Sequence, residues 1–377
     1  MAVSTSPVTP SVLRWAVQED GRPVADIADA LKVGQNALDG WMSGNLLPTR
    51  GQVSDLAKVL QRPRALFFLP QPPGLGTLPA SFRHPPGARH DVSIATRRAV
   101  RQARRLQHAV AWTAHDSPPV DVPSRPLNSS PVEAAAVTRE WLGLSTSEQA
   151  AWLDDYEALR AWRAAIDARG VLVFALEIGR DEARGFSAWH ANAPLIVANV
   201  SGVAPAARIF TVAHELGHLV TRRDAACVEL PLEELASIDV ERWCERFGAA
   251  LLMPEAAVKD LTASREITTG GAGIVDVREM TLQFRVSARA AALRLIDLGL
   301  ASQSLYAEVL RVFVPKPRTD SRLFSPPRVT ARLRQYGPRV IGTVLENLPP
   351  RDALSVLRID VEDARRLAEE VPGVPVP

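Results

Sequence analysis

Residues 209–220 read IFTVAHELGHLV, and within this run His214, Glu215 and His218 have the HExxH spacing. Two histidines four apart stand on one face of a helix, one turn from each other. Their neutral ring nitrogens can therefore meet on one cation, and Zn²⁺, which takes nitrogen and oxygen donors in a tetrahedral set, suits such a pair. Glu215, next to the first histidine, would reach a water beside the metal and take its proton. Ordinary surface histidines are a poor account of this run. Ile209, Phe210, Val212, Ala213, Leu216, Leu219 and Val220 leave it almost no polar face, and burying His and Glu there without a metal or partner is costly.

A catalytic zinc takes a third protein ligand. The downstream helix DVERWCERFGAALLMP (239–254) offers Glu241 and Glu245, one turn apart on the same face, and helical periodicity does not choose between them. HELGH followed about two dozen residues later by ERWCERFGAALLMP resembles the ImmA/IrrE metallopeptidase family, whose third ligand is a glutamate in an ExxAN-x-FA-x-x-LLMP helix. Aligning FGAALLMP (247–254) with that pattern puts the family glutamate on Glu241. Cys244 then stands where alanine is usual and Glu245 where asparagine is usual. The resemblance covers about residues 170–300. It extends upstream through FSAWHANAPLIVANVSGVAPAARIFTVAHELGHL and downstream to RVSARAAALRLIDLGL (285–300).

Two runs rich in β-branched residues precede the HExxH helix, VLVFALEI (171–178) and PLIVANV (194–200), and predict two strands of a small sheet. In zinc peptidases of this general shape an edge strand receives the substrate in extended form, and PLIVANV is the candidate. Asn199, closing that strand, fits either a polar contact to substrate or a turn. His190 is a candidate oxyanion stabiliser against the simpler reading of a solvated loop histidine. Arg222 and Arg223 read as helix C-terminal charges.

Toward the N-terminus the spacing predicts three short helices, over 23–33, 35–44 and 50–61, separated by Gly34, Gly44 and Pro48. IADAL (27–31), the turn Gly34, Trp41 and LAKVL (56–60) resemble an XRE-type helix-turn-helix. On that register Gln35, Asn36, Asp39 and Ser43 face outward on the recognition helix, and Gln and Asn suit adenine edges. Arg50, with Lys58, Arg62 and Arg64, would meet phosphates. The competing reading is a helical protein-interaction module, because QNALDGWMSG carries no Lys or Arg and has an Asp.

The remaining elements divide the chain. QPPGLGTLPASFRHPPGARH (71–90) reads as a linker, since Pro and Gly deny helical donors or dihedrals. Arg97, Arg98, Arg101, Arg104 and Arg105 form one charged stripe on the helix that follows, which is a solvated face if it does not meet DNA. Four segments result: residues 1–70, a helix-turn-helix bundle; 71–130, linker and basic helix; 131–300, the metallopeptidase-like domain; and 301–377, a C-terminal helical module. The fold class expected is mainly α with a small sheet (α+β), and the family resemblance implies a zincin-like domain.

With 377 residues, 46% of them hydrophobic and 23% charged, the chain is long enough for several cores and far from the composition of disorder. A formal charge of +2 requires any nucleic-acid contact to come from a local patch. Cys227 and Cys244 form no CxxC and no disulfide framework, so a reducing cytoplasm is expected. No leader and no membrane span are expected. The resemblance implies a zinc endopeptidase that cleaves a regulatory protein, a repressor or an antitoxin-like partner. Double-stranded DNA is the second expected partner, and a homodimer is compatible with the sequence. The alternative is a non-catalytic regulator or antitoxin that uses the peptidase fold as a sensor or binding module.

Overall fold

The structure, a computed structural model, describes residues 5–72, 93–179, 183–222, 238–267, 269–314 and 326–371. Most of 71–90, most of the proline-rich 314–327 stretch, Arg223 and Cys227 lie outside them. The fold is mainly helical with one small sheet, as α+β patterning predicts. Among the described residues no helix is long and apolar enough to cross a membrane. The chain divides into two compact units, Met1–Leu78 with Arg89–Arg101, and Pro79–Ala88 with Gln102–Pro377.

In the first unit α1 (Pro10–Asp20), α2 (Val24–Leu31), α3 (Gln35–Ser43) and α4 (Arg50–Val59) are followed by a 3₁₀ turn, Arg64–Phe68. Leu13, Ala16, Ile27, Leu31, Leu38, Trp41, Val53, Leu56 and Phe67 fill one core between them. The ends follow local chemistry. Gly44 closes α3 at φ +83°, a left-handed conformation that glycine adopts without cost. Thr49 opens α4 with a capping box: its Oγ1 accepts from Gln52 N, and Gln52 Oε1 accepts from Thr49 N. At the start of α5 (Ile94–Thr113), Arg101 donates to Glu19 O at 3.0 Å. Burial, helped by the nearby Arg62, lowers the Arg101 pKa to about 10.

The second unit holds the rest of α5, then α6 (Pro131–Leu142), α7 (Thr146–Ala151) and α8 (Asp155–Ala168) ahead of the sheet. The strands are β1 (Leu172–Leu176), β2 (Gly185–Ala188) and β3 (Leu195–Asn199), in the order β1-β3-β2. β1 lies parallel to β3, with Leu172 opposite Leu195, and β2 antiparallel, with Gly185 opposite Ala198. β3 is therefore central. PLIVANV is not the edge strand expected from the general shape of zinc peptidases: all five residues of β3 pair with β1 and four of them with β2 as well. The strand missing from the sequence expectation is β2, GFSA, which is too short and too poor in β-branched residues to announce itself.

α9 (Pro205–Thr221) and α10 (Ile238–Leu252) follow the sheet. Alternation along the strands puts Val173, Ile196 and Ala198 in one core with Ile209, Val212 and Leu216 of α9. After α11 (Glu255–Ala263), α12 (Ile274–Phe284), α13 (Ala288–Asp297) and α14 (Ser304–Val312), four C-terminal helices complete the unit: α15 (Arg328–Tyr336), α16 (Pro338–Asn347), α17 (Pro350–Leu357) and α18 (Val361–Glu370). Tyr336 of α15 meets the opposite face of the sheet, edge-on to Phe174 at 5.4 Å. Gln102 of α5 donates to its hydroxyl.

The arginine stripe is not a solvated face. All five residues are half-buried. Within the second unit, Arg104 donates to Gln107 Oε1 and Arg105 to Val356 O. With Arg101, three of the five guanidinium groups thus find oxygen acceptors.

The LLMP segment that ends α10 has its free carbonyls met by side chains. Arg139 of α6 donates to Leu251 O at 2.7 Å, Gln149 of α7 to Leu252 O at 3.0 Å, and Arg294 of α13 to Met253 O at 3.0 Å. Two of these donors are guanidinium cations at a helix C-terminus, where the backbone dipole favours them. Arg139 also donates to Gln149 Oε1 and Ser145 O. Arg139→Ala leaves these buried acceptors unpaired, and we expect it to lower the unfolding free energy by about 3 kcal/mol. Urea denaturation followed by circular dichroism measures this, and a loss under about 0.5 kcal/mol, the scale of an ordinary surface change, contradicts the capping role.

Candidate metal centre

α9 begins with Pro205 at its first turn, where the fixed φ of proline suits a helix start. It is buried along nearly its whole length, so His214, Glu215 and His218 sit in the core. α10 lies against it at very short range. A Cβ on Gly217 would stand 3.0 Å from Phe247 Cδ1 and 3.3 Å from the Cys244 Cα, and one on Gly248 would stand 3.3 Å from His214 N. Two glycines thus let the helix backbones approach, one from each side. Trp243 of α10 donates to Ser129 O and stacks on Phe247.

This contact brings Glu241 over the histidine pair. His214 Nε2 and His218 Nε2 are 3.2 Å apart, and the two Glu241 oxygens lie 3.1 Å from the first and 3.3 Å from the second. The three donor atoms lie within 4.8 Å of one another, the histidines fully buried and the glutamate half-buried. Glu245, one turn on, is exposed on α10 and outside this group. Cys244 is buried on the side facing α9.

The donor set fits a metal cation. Two imidazole nitrogens and a carboxylate converge here with their lone pairs, a repulsive arrangement that a positive charge relieves. The field has the same sense. Burial alone would raise the Glu241 pKa, but its hydrogen bonds to His214 and His218 hold the carboxyl well below the usual carboxylate range. Burial alone would lower that of His218, yet Cys244, Glu241 and Glu215 together lift it well above the ordinary histidine value. Glu241 is thus held as a carboxylate, the form that ligates a metal, and the surroundings that favour positive charge on His218 favour a cation there on the same grounds.

Residues 166–295 match the Peptidase_M78 family model, the IrrE N-terminal-like domain. The matched span is about a third of the chain and runs from the end of α8 into α13, so it contains the sheet, α9 and α10. It supports the ImmA/IrrE resemblance for this part of the chain and a metallopeptidase role for it. No curated protein matches the chain.

The other expected residues are placed differently. Asn199 is buried and entirely engaged in the strand's exit. Its Oδ1 accepts from Ile178 N and Ser201 N, and its Nδ2 donates to Ala183 O and Gly179 O. It therefore shapes a turn. His190 lies in the β2–β3 connection, where its Nδ1 accepts from Asn192 N, and it is not part of the metal-ligating group. Arg222 ends α9 at φ +50°, donates to Val122 O and lies 4.5 Å over the Trp189 ring. In the first unit Gln35, Asn36, Asp39 and Ser43 are all exposed along α3, and Arg50 is exposed at the start of α4.

The site also contains two residues that the sequence does not single out. Ser187 of β2 donates to Glu215 Oε2 at 2.8 Å. Gly185, two residues earlier, stands where a Cβ would come 2.6 Å from Thr211 Cγ2 and 3.6 Å from Glu215 Cγ. The short strand β2 brings them there, and no motif marks it.

Metal analysis separates the ligands from their neighbours. His214→Ala, His218→Ala and Glu241→Ala should each lower zinc affinity by at least about 100-fold, since each removes one of three protein ligands. Glu245→Ala should leave it within about 3-fold, the scale of a distant surface charge. Equal losses from Glu241→Ala and Glu245→Ala, read by competition with a chromogenic chelator, contradict this ligand set.

Proposed function

We propose that the chain is a zinc-dependent endopeptidase of the ImmA/IrrE kind, acting in the cytoplasm on a regulatory protein such as a repressor or an antitoxin-like partner. The observation that carries this reading is the convergence of His214, His218 and Glu241 within 4.8 Å, with Glu215 adjacent on the same helix. His214 and His218 would hold zinc through imidazole nitrogens and Glu241 through its carboxylate. When bound, zinc supplies Lewis acidity, polarising a peptide carbonyl and acidifying water.

The chain's own residues account for the rest. Glu215 takes the proton of the attacking water and returns it to the departing amine, general acid–base work worth ~10²–10⁴ in rate. Its carboxylate is buried, so bulk water does not compete for it. The substrate would lie extended along β2. Asn199 N donates to Arg184 O, which closes the β2–β3 ladder. In an antiparallel pair bonded positions alternate, so Gly185 and Ser187 direct their peptide groups away from β3. Those groups can register a peptide by strand addition.

The first unit would carry this activity to DNA. The exposed polar row of Gln35, Asn36, Asp39 and Ser43 on a short helix behind a tight turn supports a helix-turn-helix reading, with Arg50 at a phosphate. The full chain should bind duplex DNA weakly at low salt and lose it steeply as salt rises, with Arg50→Ala weakening binding at every sequence. Absence of binding at low salt in a fluorescence titration favours a protein-interaction module instead.

Glu215→Gln tests the catalytic half. The side chain keeps its size and cannot accept the proton, so zinc content and thermal midpoint should match the wild type while the substrate protein survives induction. Quantitative proteomics of cells expressing each form reads this out. A Glu215→Gln variant that depletes the same protein as the wild type moves the reading to a sensor that acts by binding.

A further inference from the structure

Glu215 is buried, and the side chain that holds it comes from the sheet and not from its own helix. Ser187 Oγ donates to Glu215 Oε2 at 2.8 Å, and both residues are about 1% exposed. Strand alternation puts the Gly185 and Ser187 side-chain positions on the α9 face of β2, and Phe186 and Ala188 on the other. Gly185 is what permits the approach: a Cβ there would fall 2.5 Å from Val197 O and 2.6 Å from Thr211 Cγ2. The strand's far end is fixed as well. Gln107 Nε2 donates to Ala188 O and Ala193 O, both at 2.9 Å, pinning the turn out of β2.

We propose that Ser187 is a positioning residue for Glu215, and that through it the strand which registers the substrate also sets the orientation of the proton-transferring carboxylate. A carboxylate has two equivalent oxygens and a freely turning terminal bond. A hydroxyl donor on Oε2 removes that freedom and fixes the plane of the group. Ser187 also directs its peptide N–H and C=O to the outer edge of β2. One residue thus joins the substrate's register to the base's orientation without being one of the three candidate metal ligands. The inference rests on the reading of Glu215 as the proton acceptor beside a bound metal.

The test uses the full-length, zinc-loaded protein and acetohydroxamate as probe, followed by calorimetric titration. A hydroxamate chelates zinc through its two oxygens and gives its proton to a carboxylate placed alongside, so its affinity reports where Glu215 stands. Ser187→Ala should bind it about 10-fold more weakly, with unchanged zinc content and circular dichroism. Glu215→Gln should also bind it more weakly, and adding Ser187→Ala to Glu215→Gln should change affinity by less than about 2-fold, because the two residues act as one unit. Ser187→Ala that binds acetohydroxamate as the wild type does overturns the proposal. So does a loss of equal size in the wild-type and Glu215→Gln backgrounds, or a loss of zinc, either of which marks Ser187 as a packing residue. A wild type that does not bind the probe overturns the metal-site reading, and a Glu215→Gln form that binds it normally overturns the reading of Glu215 as the proton acceptor; either takes the Ser187 role with it.

Discussion

The backbone contact between α9 and α10 is what the candidate site depends on. A single helix can align two histidines, but the third ligand must come from elsewhere and arrive within hydrogen-bond range of both rings. Ordinary helix pairs stand about 8–10 Å apart, according to the side chains between them. Gly217 and Gly248 remove the side chains at the crossing, and each lies against the partner helix's backbone or Cβ atoms. Glu241 can then span both histidines with its two oxygens. A side chain at Gly217 would press on Phe247 and on Cys244, which lies one turn from Glu241. The α10 end of this contact is held by Arg139, Gln149 and Arg294, which fix the height of the helix along its own axis.

Burying this many polar groups has a cost that the fold meets in layers. His214, Glu215 and His218 are removed from water on a helix otherwise lined by Ile, Val, Leu and Ala. Their neighbours are mutual partners: the imidazoles face Glu241, and Glu215 takes a hydroxyl from the strand. The histidines hold Glu241 as a carboxylate, and Cys244, Glu241 and Glu215 bias His218 toward positive charge. Such a pocket is poorly suited to an apolar ligand and well suited to a divalent cation.

Much of this is legible in the sequence, and the limits have physical reasons. HExxH is local, so spacing alone puts both histidines on one helical face. The choice between Glu241 and Glu245 is not local. Periodicity gives both the same face, and only the crossing with α9 leaves Glu245 exposed while Glu241 turns inward. Composition finds β1 and β3 because they are rich in β-branched residues, and the expectation of an edge role for β3, taken from the general shape of zinc peptidases, fails because pairing partners are invisible in a single run. It misses β2, whose four residues GFSA owe their extended form to pairing with β3 and not to propensity. The arginine stripe is one face of a helix, as its spacing implies. Its partners, Glu19 O and Val356 O, come from distant parts of the chain. Asn199 and His190 are attractive by residue type alone, and each is engaged by a turn.

Several of the donors that hold the site together come from outside the segment that carries the family likeness. That segment begins at residue 166. Gln107, which pins the end of β2, and Arg139 and Gln149, which cap α10, all precede it. Motif and scaffold have therefore separate boundaries in this chain. A module bounded by that likeness would be cut through its own supporting hydrogen bonds, since the caps of α10 require α6 and α7 and the tie on β2 requires α5.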